Sequence, residues 1–259
     1  MNSQNPREVF VKNLFTDTSS QPVPPWKRTI DLVCCLLALP FLCLLTVAMA
    51  IYMRFVSRGP VFFKQERVGY KGSRFMCYKF RTMTVGADTK SHNLYCDNLL
   101  GSRAPMPMVK LDSKGDSRVI PYAWILRASG LDELPQIINI CRGEMSIVGP
   151  RPCLDYEYEG YRPAQKRRFD AMPGLTGLWQ VSGKNHTTFE QMIELDIRYS
   201  KVSSFGLDLW IILKTVPTLV AQIFETHRAR KALAQTVQNK ISRAPSIPVK
   251  KRKSQAVIS

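Results

Sequence analysis

One short segment carries the residue types that phosphate chemistry requires. Arg127 precedes two adjacent carboxylates, Asp132 and Glu133, by five residues. The following Pro135 is tolerated only in the first turn of a helix, so the pattern predicts a helix that begins near Asp132 and ends before Gly143. A helix N-terminus favours negative charge, which keeps Asp132 ionised and able either to coordinate Mg²⁺ or to attack phosphorus. The local pattern leaves open that Asp132 only caps the helix and that Glu133 is a solvated acid.

A second candidate for phosphate binding is Arg151, which stands between Pro150 and Pro152 and follows two glycines. The prolines stiffen the loop, and a guanidinium held in place can donate two parallel hydrogen bonds to a phosphate. Prolines also flank ordinary surface arginines, so that alternative stays open. Further along, the turn-like segment 173–177 could approach a ligand through its backbone.

Two short strands are predicted in the middle of the chain, over 61–63 and 74–81, because two glycines separate these runs of strand-forming residues. Side chains alternate between the two faces of a strand, so Lys79 and Arg81 are expected to point the same way. Residues 91–116 are rich in Asn, Gly, Pro and Ser and predict a surface loop.

Several classes of protein lose support from the sequence. It contains no G-x-G-x-x-G, Walker A, G-x-S-x-G or H-E-x-x-H motif, which argues against NAD enzymes, P-loop ATPases, serine hydrolases and zincins. The seven cysteines include no Cys-x-x-Cys pair and do not cluster with histidine, so free thiols in a reducing cytosol are expected rather than disulfides or a zinc site.

Residues 32–53 contain no charged side chain, and as a helix they would be about 33 Å long, enough for a hydrocarbon core of roughly 30 Å. No small-x-small cleavage pattern follows, so the segment is expected to stay attached. Basic residues flank both ends, and Pro40 near the middle bends a helix. Both features favour a re-entrant helix over 26–54 that enters and leaves one leaflet. An ordinary kinked transmembrane helix remains the alternative.

The start of this helix carries a candidate membrane anchor. Asp31 follows Lys27 by four residues and is predicted to pair with it, or with Arg28, at the level of the lipid headgroups. Together with the bend at Pro40, this pair would fix the helix in the membrane.

The formal net charge of +17 favours an anionic partner. Nine positive charges follow His227 without one acid, and beside a membrane segment such a run predicts attraction to anionic lipid. A disordered, solvated tail over 226–259 also explains most of this stretch. A nucleic-acid arm would interleave aromatic residues with the basic ones, and none follows His227, so no nucleic-acid partner is predicted.

Two further helices are predicted near the C-terminus. Thr187 with Glu190 and Thr188 with Gln191 both match a capping box that precedes apolar residues at helical spacing. The segment 207–224 is apolar over most of its circumference. It suits a helix that lies at the bilayer surface, and a buried core helix fits the same pattern.

The motifs combine into a set with a defined order along the chain. They occupy residues 64–69 (KQERVG), 78–83 (YKFRTM), 131–136 (LDELPQ), 149–152 (GPRP) and 173–177 (PGLTG). With the membrane segment, over about residues 26–224, the chain resembles the bacterial sugar transferases, also called monotopic phosphoglycosyl transferases. It is most similar to the short exopolysaccharide-initiating members, which lack a large N-terminal domain with several membrane spans.

The resemblance implies an enzyme of the bacterial inner membrane whose catalytic domain faces the cytosol. Such an enzyme moves hexose 1-phosphate from a UDP-sugar, with galactose or glucose favoured, to a polyprenyl phosphate such as undecaprenyl phosphate. It releases UMP and performs the first membrane step of exopolysaccharide biosynthesis. The implied partners are therefore the UDP-sugar, the polyprenyl phosphate and anionic membrane lipid.

The resemblance also implies roles for the candidate residues. Asp132 would attack the phosphorus that bears the sugar and form an aspartyl phosphosugar, and Mg²⁺ bound partly by Asp132 would neutralise the diphosphate. Glu133 would handle the proton as the lipid phosphate arrives. The phosphate ligands would be Arg127 and Arg151, with Lys79 and Arg81 as secondary candidates.

The expected fold is mixed α/β (α+β). It has a membrane-associated helical domain, whose re-entrant segment consists of two helices joined at a break, together with short strands and amphipathic surface helices. The expected divisions are a flexible N-terminus (1–25), the membrane helix (26–54), a cytosolic catalytic domain with interfacial helices (55–225) and a disordered basic tail (226–259). The alternative from another functional class is a non-catalytic membrane-tethered scaffold with a basic tail, in which the acid pair is only a helix cap. The sequence does not indicate an oligomeric state.

Overall fold

The computed structural model describes residues 23–86, 118–183 and 187–243. Within them the protein is a mixed fold dominated by helices, with two short two-stranded sheets. Three predicted features lie wholly or mainly outside the described residues: the N-terminal segment up to residue 22, the surface loop over 91–116 and the end of the basic tail, 244–259.

Helix α1 (Pro25–Val56) is the apolar membrane segment. It continues through Pro40 as one helix, so the predicted division into two helices is not seen. Its buried residues lie on one side, whereas apolar side chains elsewhere on the helix are exposed, among them Leu36 at 70% and Leu37 at 75%. An apolar surface of this extent needs a covering such as lipid.

The predicted pairing of Lys27 with Asp31 at the headgroup level is wrong. The ammonium group of Lys27 is buried and donates to Asp208 Oδ2 at 2.6 Å, to the Val148 carbonyl at 2.8 Å and to the Tyr199 hydroxyl at 2.9 Å. Burial, and then the charge of Asp208, raise the pKa of Tyr199, so its hydroxyl stays neutral. The lysine therefore anchors α1 to the protein.

Asp31 has its own partners in the same region. One carboxylate oxygen, Oδ1, accepts from the Ser146 hydroxyl at 2.9 Å and from the Ile147 amide at 2.8 Å. Lys27 and Asp31 lie one turn apart on the face of α1 that packs against the protein, so each finds a separate partner there. The helix is thus fixed by two independent polar contacts.

The strands form two small sheets. Strand β1 (Phe62–Val68) is longer than the predicted 61–63 and pairs antiparallel with β2 (Arg74–Phe80). Strand β3 (Ser146–Val148) pairs parallel with β4 (Gly174–Thr176).

Short helices surround these sheets. They are α2 (Ala123–Ser129), α3 (Ile137–Arg142), α4 (Asp155–Gly160), α5 (Pro163–Lys166), α6 (Leu178–Val181) and α7 (Phe189–Val202). The capping box of α7 is confirmed, because the Thr188 hydroxyl accepts from the Gln191 amide and the Gln191 side chain accepts from the Thr188 amide. Thr187 instead accepts a hydrogen bond from the Trp179 indole at 2.6 Å.

The largest group of buried apolar residues joins α1 to the hairpin of β1 and β2 and to α3. Met53 of α1, Phe80 of β2 and Ile137 of α3 are each 1% exposed within it. Helix α1 is therefore part of the main core, and separating it from the hairpin and α3 would expose apolar surface.

Helix α8 (Phe205–Arg243) carries the last apolar segment. Ile211 is fully buried, but a stripe of large apolar residues is exposed, which contradicts the buried-core alternative. The stripe consists of Phe205, Leu209, Leu213, Val216, Val220 and Phe224. Helices α1 and α8 are both long and apolar enough to cross a membrane by length and composition.

The start of the basic tail is helical, which corrects the expectation of disorder for residues 226–243. This stretch is rich in Ala, Arg, Lys and Gln, which favour helix and extend α8 once it has started. The extension contacts α2, because the Arg230 guanidinium lies 5.0 Å from the Trp124 ring and the His227 ring lies 6.1 Å from it.

Replacing Lys27 by Ala is expected to lower the free energy of unfolding by about 3–5 kcal/mol, because it leaves the Asp208 carboxylate buried without a counter-charge. The measurement is thermal or denaturant unfolding of the detergent-solubilised protein. The double variant Lys27→Met with Asp208→Leu removes both charges and should recover much of the loss. The exposed pair of Arg74 and Asp155 supplies the control, since Arg74→Ala should leave the unfolding midpoint unchanged. An unfolding midpoint for Lys27→Ala equal to that of the wild type would contradict this assignment.

Candidate active site

The two acids lie on a 3₁₀-helix, Leu131–Gln136, that we call the acidic helix. Gly130 ends α2 in the left-handed conformation, with φ 73°, and turns the chain into the acidic helix. Pro135 is buried within the acidic helix. Helix α3 follows without a gap and ends at Arg142, and the next residue, Gly143, is also left-handed. The predicted helical start near Asp132 and stop before Gly143 are confirmed, although the first part is 3₁₀ rather than α.

Glu133 lies in a pocket beside β2. Lys79 Nζ donates to Glu133 Oε1 at 2.6 Å, and Arg151 Nη1 lies 3.5 Å from the same oxygen. The structure therefore brings together three residues that sequence analysis had selected from distant segments. The full lining consists of Arg67, Cys77, Lys79, Glu133, Gln136, Arg151, Pro152, Gly174, Leu175 and Gln180.

Arg151 is positioned by a buried network behind its loop. Arg168 donates to the Arg151 carbonyl at 3.0 Å, to the Tyr161 hydroxyl at 2.8 Å and to Asp196 Oδ2 at 2.5 Å. Both members of the ion pair are at most 2% exposed. Arg168 thus fixes the backbone from which the Arg151 guanidinium reaches the pocket.

The glycines of segment 173–177 serve close backbone packing. A Cβ on Gly149 would lie 2.0 Å from the Met172 carbonyl oxygen, and one on Gly174 would lie 2.0 Å from the Gly149 nitrogen. The Gly149 amide donates to the Thr176 carbonyl at 2.8 Å. The backbone of segment 173–177 therefore packs against Gly149, at the start of the Arg151 loop. Gly174 also lines the pocket, where the predicted contact with a ligand stays a prediction.

Arg67 is a pocket residue that the analysis of single residues missed. It is 8% exposed, and its Nε has no hydrogen-bond partner in the described part of the chain. Burial, and then the neighbouring charge of Arg151, lower its pKa. Arg67 belongs to the motif over 64–69, and this membership is the feature of the sequence that could have identified it. Nothing else in the local sequence indicates that this strand residue is buried.

Asp132 and Arg127 are not among the residues that line the pocket. Asp132 precedes Glu133 on the acidic helix and is half-buried. Arg127, on α2, donates through Nη1 to the Thr82 hydroxyl at 3.0 Å. Asp132 is adjacent to Glu133 in the chain, and Arg127 lies six residues before Glu133 on the preceding helix.

Arg81 does not contact the pocket, and its predicted role in phosphate binding is corrected. Its side chain is 5% exposed and donates to the Pro60 carbonyl at 2.7 Å and to the Ser57 hydroxyl at 2.9 Å. Strand β2 ends at Phe80, and the long side chain of Arg81 reaches the C-terminal end of α1. Arg81 therefore fixes the second end of the membrane helix.

The charges of the pocket favour an anion. Its lining has three cationic side chains, Arg67, Lys79 and Arg151, and one carboxylate, Glu133. Two guanidinium groups and an ammonium group in a partly buried site suit the oxygens of a diphosphate. The lining thus presents, around the Glu133 carboxylate, the positive charges that phosphate groups require.

Replacing Arg168 by Met is expected to destabilise the protein more at pH 7.5 than at pH 5. Burial raises the pKa of Asp196 to about 6, against the opposing charge of Arg168. Because the pKa of Asp196 rises on folding from 3.8 to about 6, the free energy of unfolding falls as the pH rises between these two values. Without the charge of Arg168 the pKa of Asp196 is higher still, so the free energy of unfolding goes on falling at higher pH. Unfolding midpoints at the two pH values provide the measurement. Arg162→Met, at an exposed pair with Glu190, is the control, and an equal loss at both pH values for Arg168→Met would contradict the assignment.

Comparisons with known proteins place the chain in a family. The model of the bacterial sugar transferase family matches residues 23–222. The exopolysaccharide production protein ExoY of Sinorhizobium fredii is 38% identical over 193 residues, which are 74% of this chain and 84% of that protein.

Two further relatives have names that state a reaction. The UDP-glucose:undecaprenyl-phosphate glucose-1-phosphate transferase of Caulobacter vibrioides is 38% identical over 202 residues, 75% of this chain and 69% of that protein. The undecaprenyl-phosphate galactose phosphotransferase of Salmonella typhimurium is 34% identical over 216 residues, 82% of this chain and 44% of that protein. With a family match over most of its length and relatives at this level of identity, the chain belongs to the bacterial sugar transferase family.

Proposed function

We propose that this protein transfers a hexose 1-phosphate from a UDP-sugar to undecaprenyl phosphate and releases UMP, as the first membrane step of exopolysaccharide biosynthesis. The observation that carries the proposal is the cationic pocket around Glu133, which has three positive side chains beside an adjacent pair of acids. The names of the relatives from Caulobacter and Salmonella support the same donor and acceptor classes, with glucose and galactose as the sugars.

The proposed reaction proceeds in two displacements at one phosphorus atom. A carboxylate oxygen of Asp132 attacks the phosphorus that bears the sugar, and the bond from this phosphorus to the bridging oxygen breaks. UMP leaves with the electron pair of that bond, and the sugar phosphate stays on Asp132 as an acyl phosphate. An oxygen of the polyprenyl phosphate then attacks the same phosphorus, and the Asp132 carboxylate is released.

The other residues act on charge and protons. Lys79, Arg151 and Arg67 neutralise the diphosphate, and Arg127 adds a guanidinium from α2. Glu133, whose Oε1 accepts a hydrogen bond from Lys79, takes the proton of the incoming lipid phosphate.

Magnesium fits this site only with the substrate present. In the described segments there is no group of three or more His, Cys, Asp or Glu side chains that could hold a metal ion. Mg²⁺ usually takes one or two carboxylates and completes its shell with substrate phosphates and water, so Asp132, with help from Glu133, is a suitable donor set. When bound, Mg²⁺ would supply charge neutralisation at the diphosphate.

We further propose that α1 is re-entrant and that the catalytic domain faces the cytosol, where nucleotide sugars are available. Both ends of α1 contact the same domain: Lys27 binds Val148 near the Arg151 loop, and Ser57 binds Arg81, two residues from Lys79. A straight helix of this length would place its ends about 48 Å apart. A spanning helix would put contacts of one domain on both sides of the bilayer, which argues for a path within one leaflet.

The exposed stripe of α8 supports attachment at the membrane surface. Its apolar residues suit the boundary of the acyl chains, and the basic residues that follow suit anionic headgroups. An anionic lipid surface is therefore the proposed partner of this helix.

The topology is tested with one added cysteine at Thr29 or Arg58, near the two ends of α1, in a background that lacks Cys34, Cys43, Cys96 and Cys141 and keeps only the buried Cys35, Cys77 and Cys153. A membrane-impermeant maleimide is expected to label both positions in inverted inner-membrane vesicles and neither in intact spheroplasts. Labelling of one position from each side would indicate a spanning helix and overturn the re-entrant path.

The reaction is tested by incubating detergent-solubilised protein with Mg²⁺, polyprenyl phosphate and a panel of radiolabelled UDP-sugars. Label is expected in the organic phase with release of UMP, and the sugar that transfers identifies the donor. Release of UDP would overturn the proposed reaction class.

Asp132→Asn is expected to lower the rate of sugar transfer at least about 10³-fold, because the amide oxygen is a poor nucleophile. The control is Asp155→Asn, which changes an exposed acid that does not line the pocket. Sugar transfer that survives in Asp132→Asn membranes would instead favour the non-catalytic scaffold, in which the acid pair is only a helix cap.

A further inference from the structure

Two uncharged amide side chains lie in the wall of the pocket, and neither forms a side-chain hydrogen bond to the described residues. Gln136 is 3% exposed and lines the pocket. Gln180 also lines the pocket, and its Oε1 is buried without a partner in that part of the chain. Buried amide oxygens in folded proteins are nearly always hydrogen-bonded, so the unpaired Gln180 oxygen, in the same pocket as Gln136, points to a ligand that completes it.

The position of Gln136 relates it directly to the acid pair. A 3₁₀-helix has three residues per turn, so residues three apart lie on the same face. Gln136 is three residues after Glu133 on the acidic helix, and both line the pocket. The rise over three residues is about 6 Å, so the Gln136 side chain lies about one turn from the Glu133 carboxylate along the pocket wall.

Gln180 reaches the pocket because Gly177 leaves room for it. A Cβ on Gly177 would lie 2.7 Å from Gln180 Oε1 and 2.2 Å from the Gly149 carbonyl oxygen. The absence of this atom allows the start of α6 to pack against the Arg151 loop with the Gln180 carboxamide beside it. The amide is therefore a built feature of the pocket wall.

The chemistry of the two amides separates them from the phosphate ligands. Arg67, Lys79 and Arg151 already supply positive charge for a diphosphate. A carboxamide offers both a donor and an acceptor without charge, which suits hydroxyl groups. In a UDP-sugar the hexose is bonded to the phosphate under attack, whereas the uracil is separated from it by a second phosphate and a ribose.

We propose that Gln136 and Gln180 bind hydroxyl groups of the hexose of the donor substrate and orient the sugar phosphate for attack. This inference rests on the proposed function, and it adds the part of the site that recognises the sugar.

The test combines variants of the two residues with changes in the substrate. Gln136→Met and Gln180→Met keep the approximate size of the side chain and remove its hydrogen-bonding groups. Each is assayed for release of the nucleoside monophosphate from UDP-hexose, from analogues that lack single hydroxyls and from a donor whose uracil is replaced by another base. Unfolding midpoints of the variants report whether the fold is intact.

For the wild type, removal of the hydroxyl bound by an amide is expected to lower kcat/KM roughly 10-fold, because the amide is then left unpaired. In the corresponding Met variant the same removal should have almost no further effect. The penalty for a changed base should be equal in variant and wild type.

Three outcomes separate the possibilities. Coupling to one hydroxyl in a folded variant supports the proposal. Coupling to the base, or an equal loss with every donor, overturns it while the proposed function stands. Failure of the wild type to release UMP from any UDP-sugar would instead reject the proposed function itself.

Discussion

The buried ammonium group of Lys27 is the interaction on which the arrangement of the molecule depends. A charge removed from water must be compensated, and here a carboxylate, a carbonyl and a hydroxyl do so. These partners come from β3, α7 and α8, so compensation fixes the first turn of the membrane helix against three other elements. Because β3 leads directly to the Arg151 loop, the same contact sets the position of α1 and that of Arg151.

The pocket differs in its balance of charge from the buried ion pair behind it. Behind it, Arg168 is paired with Asp196 and bonded to Tyr161. In the pocket, cations outnumber carboxylates, and Arg67 has a lowered pKa because of burial and a neighbouring positive charge. An excess of positive charge in a partly buried site favours an anionic ligand there.

Several features could be predicted from the sequence because they depend on neighbouring residues. The apolar stretch of α1, the capping box at Thr188 and the helix around Pro135 follow from periodicity, capping chemistry and the restricted backbone of proline. The selection of Glu133 and Lys79 for the site also came from the sequence, through the order of motifs and the family resemblance. The helical start of the tail was missed because charge was given more weight than helix propensity.

Tertiary structure decided which partner each polar side chain has. Lys27 binds Asp208, 181 residues away, and Asp31 binds Ser146, 115 residues away, rather than each other. In the same way, the Arg81 side chain binds Ser57 at the C-terminal end of α1. The sequence by itself determined the membrane helix, the acid pair and the motifs that contribute to the site. It did not determine these pairings, because a buried charge pairs with whichever opposite charge or polar group folding brings close to it. The spacing of two residues along one helix shows only that they could pair.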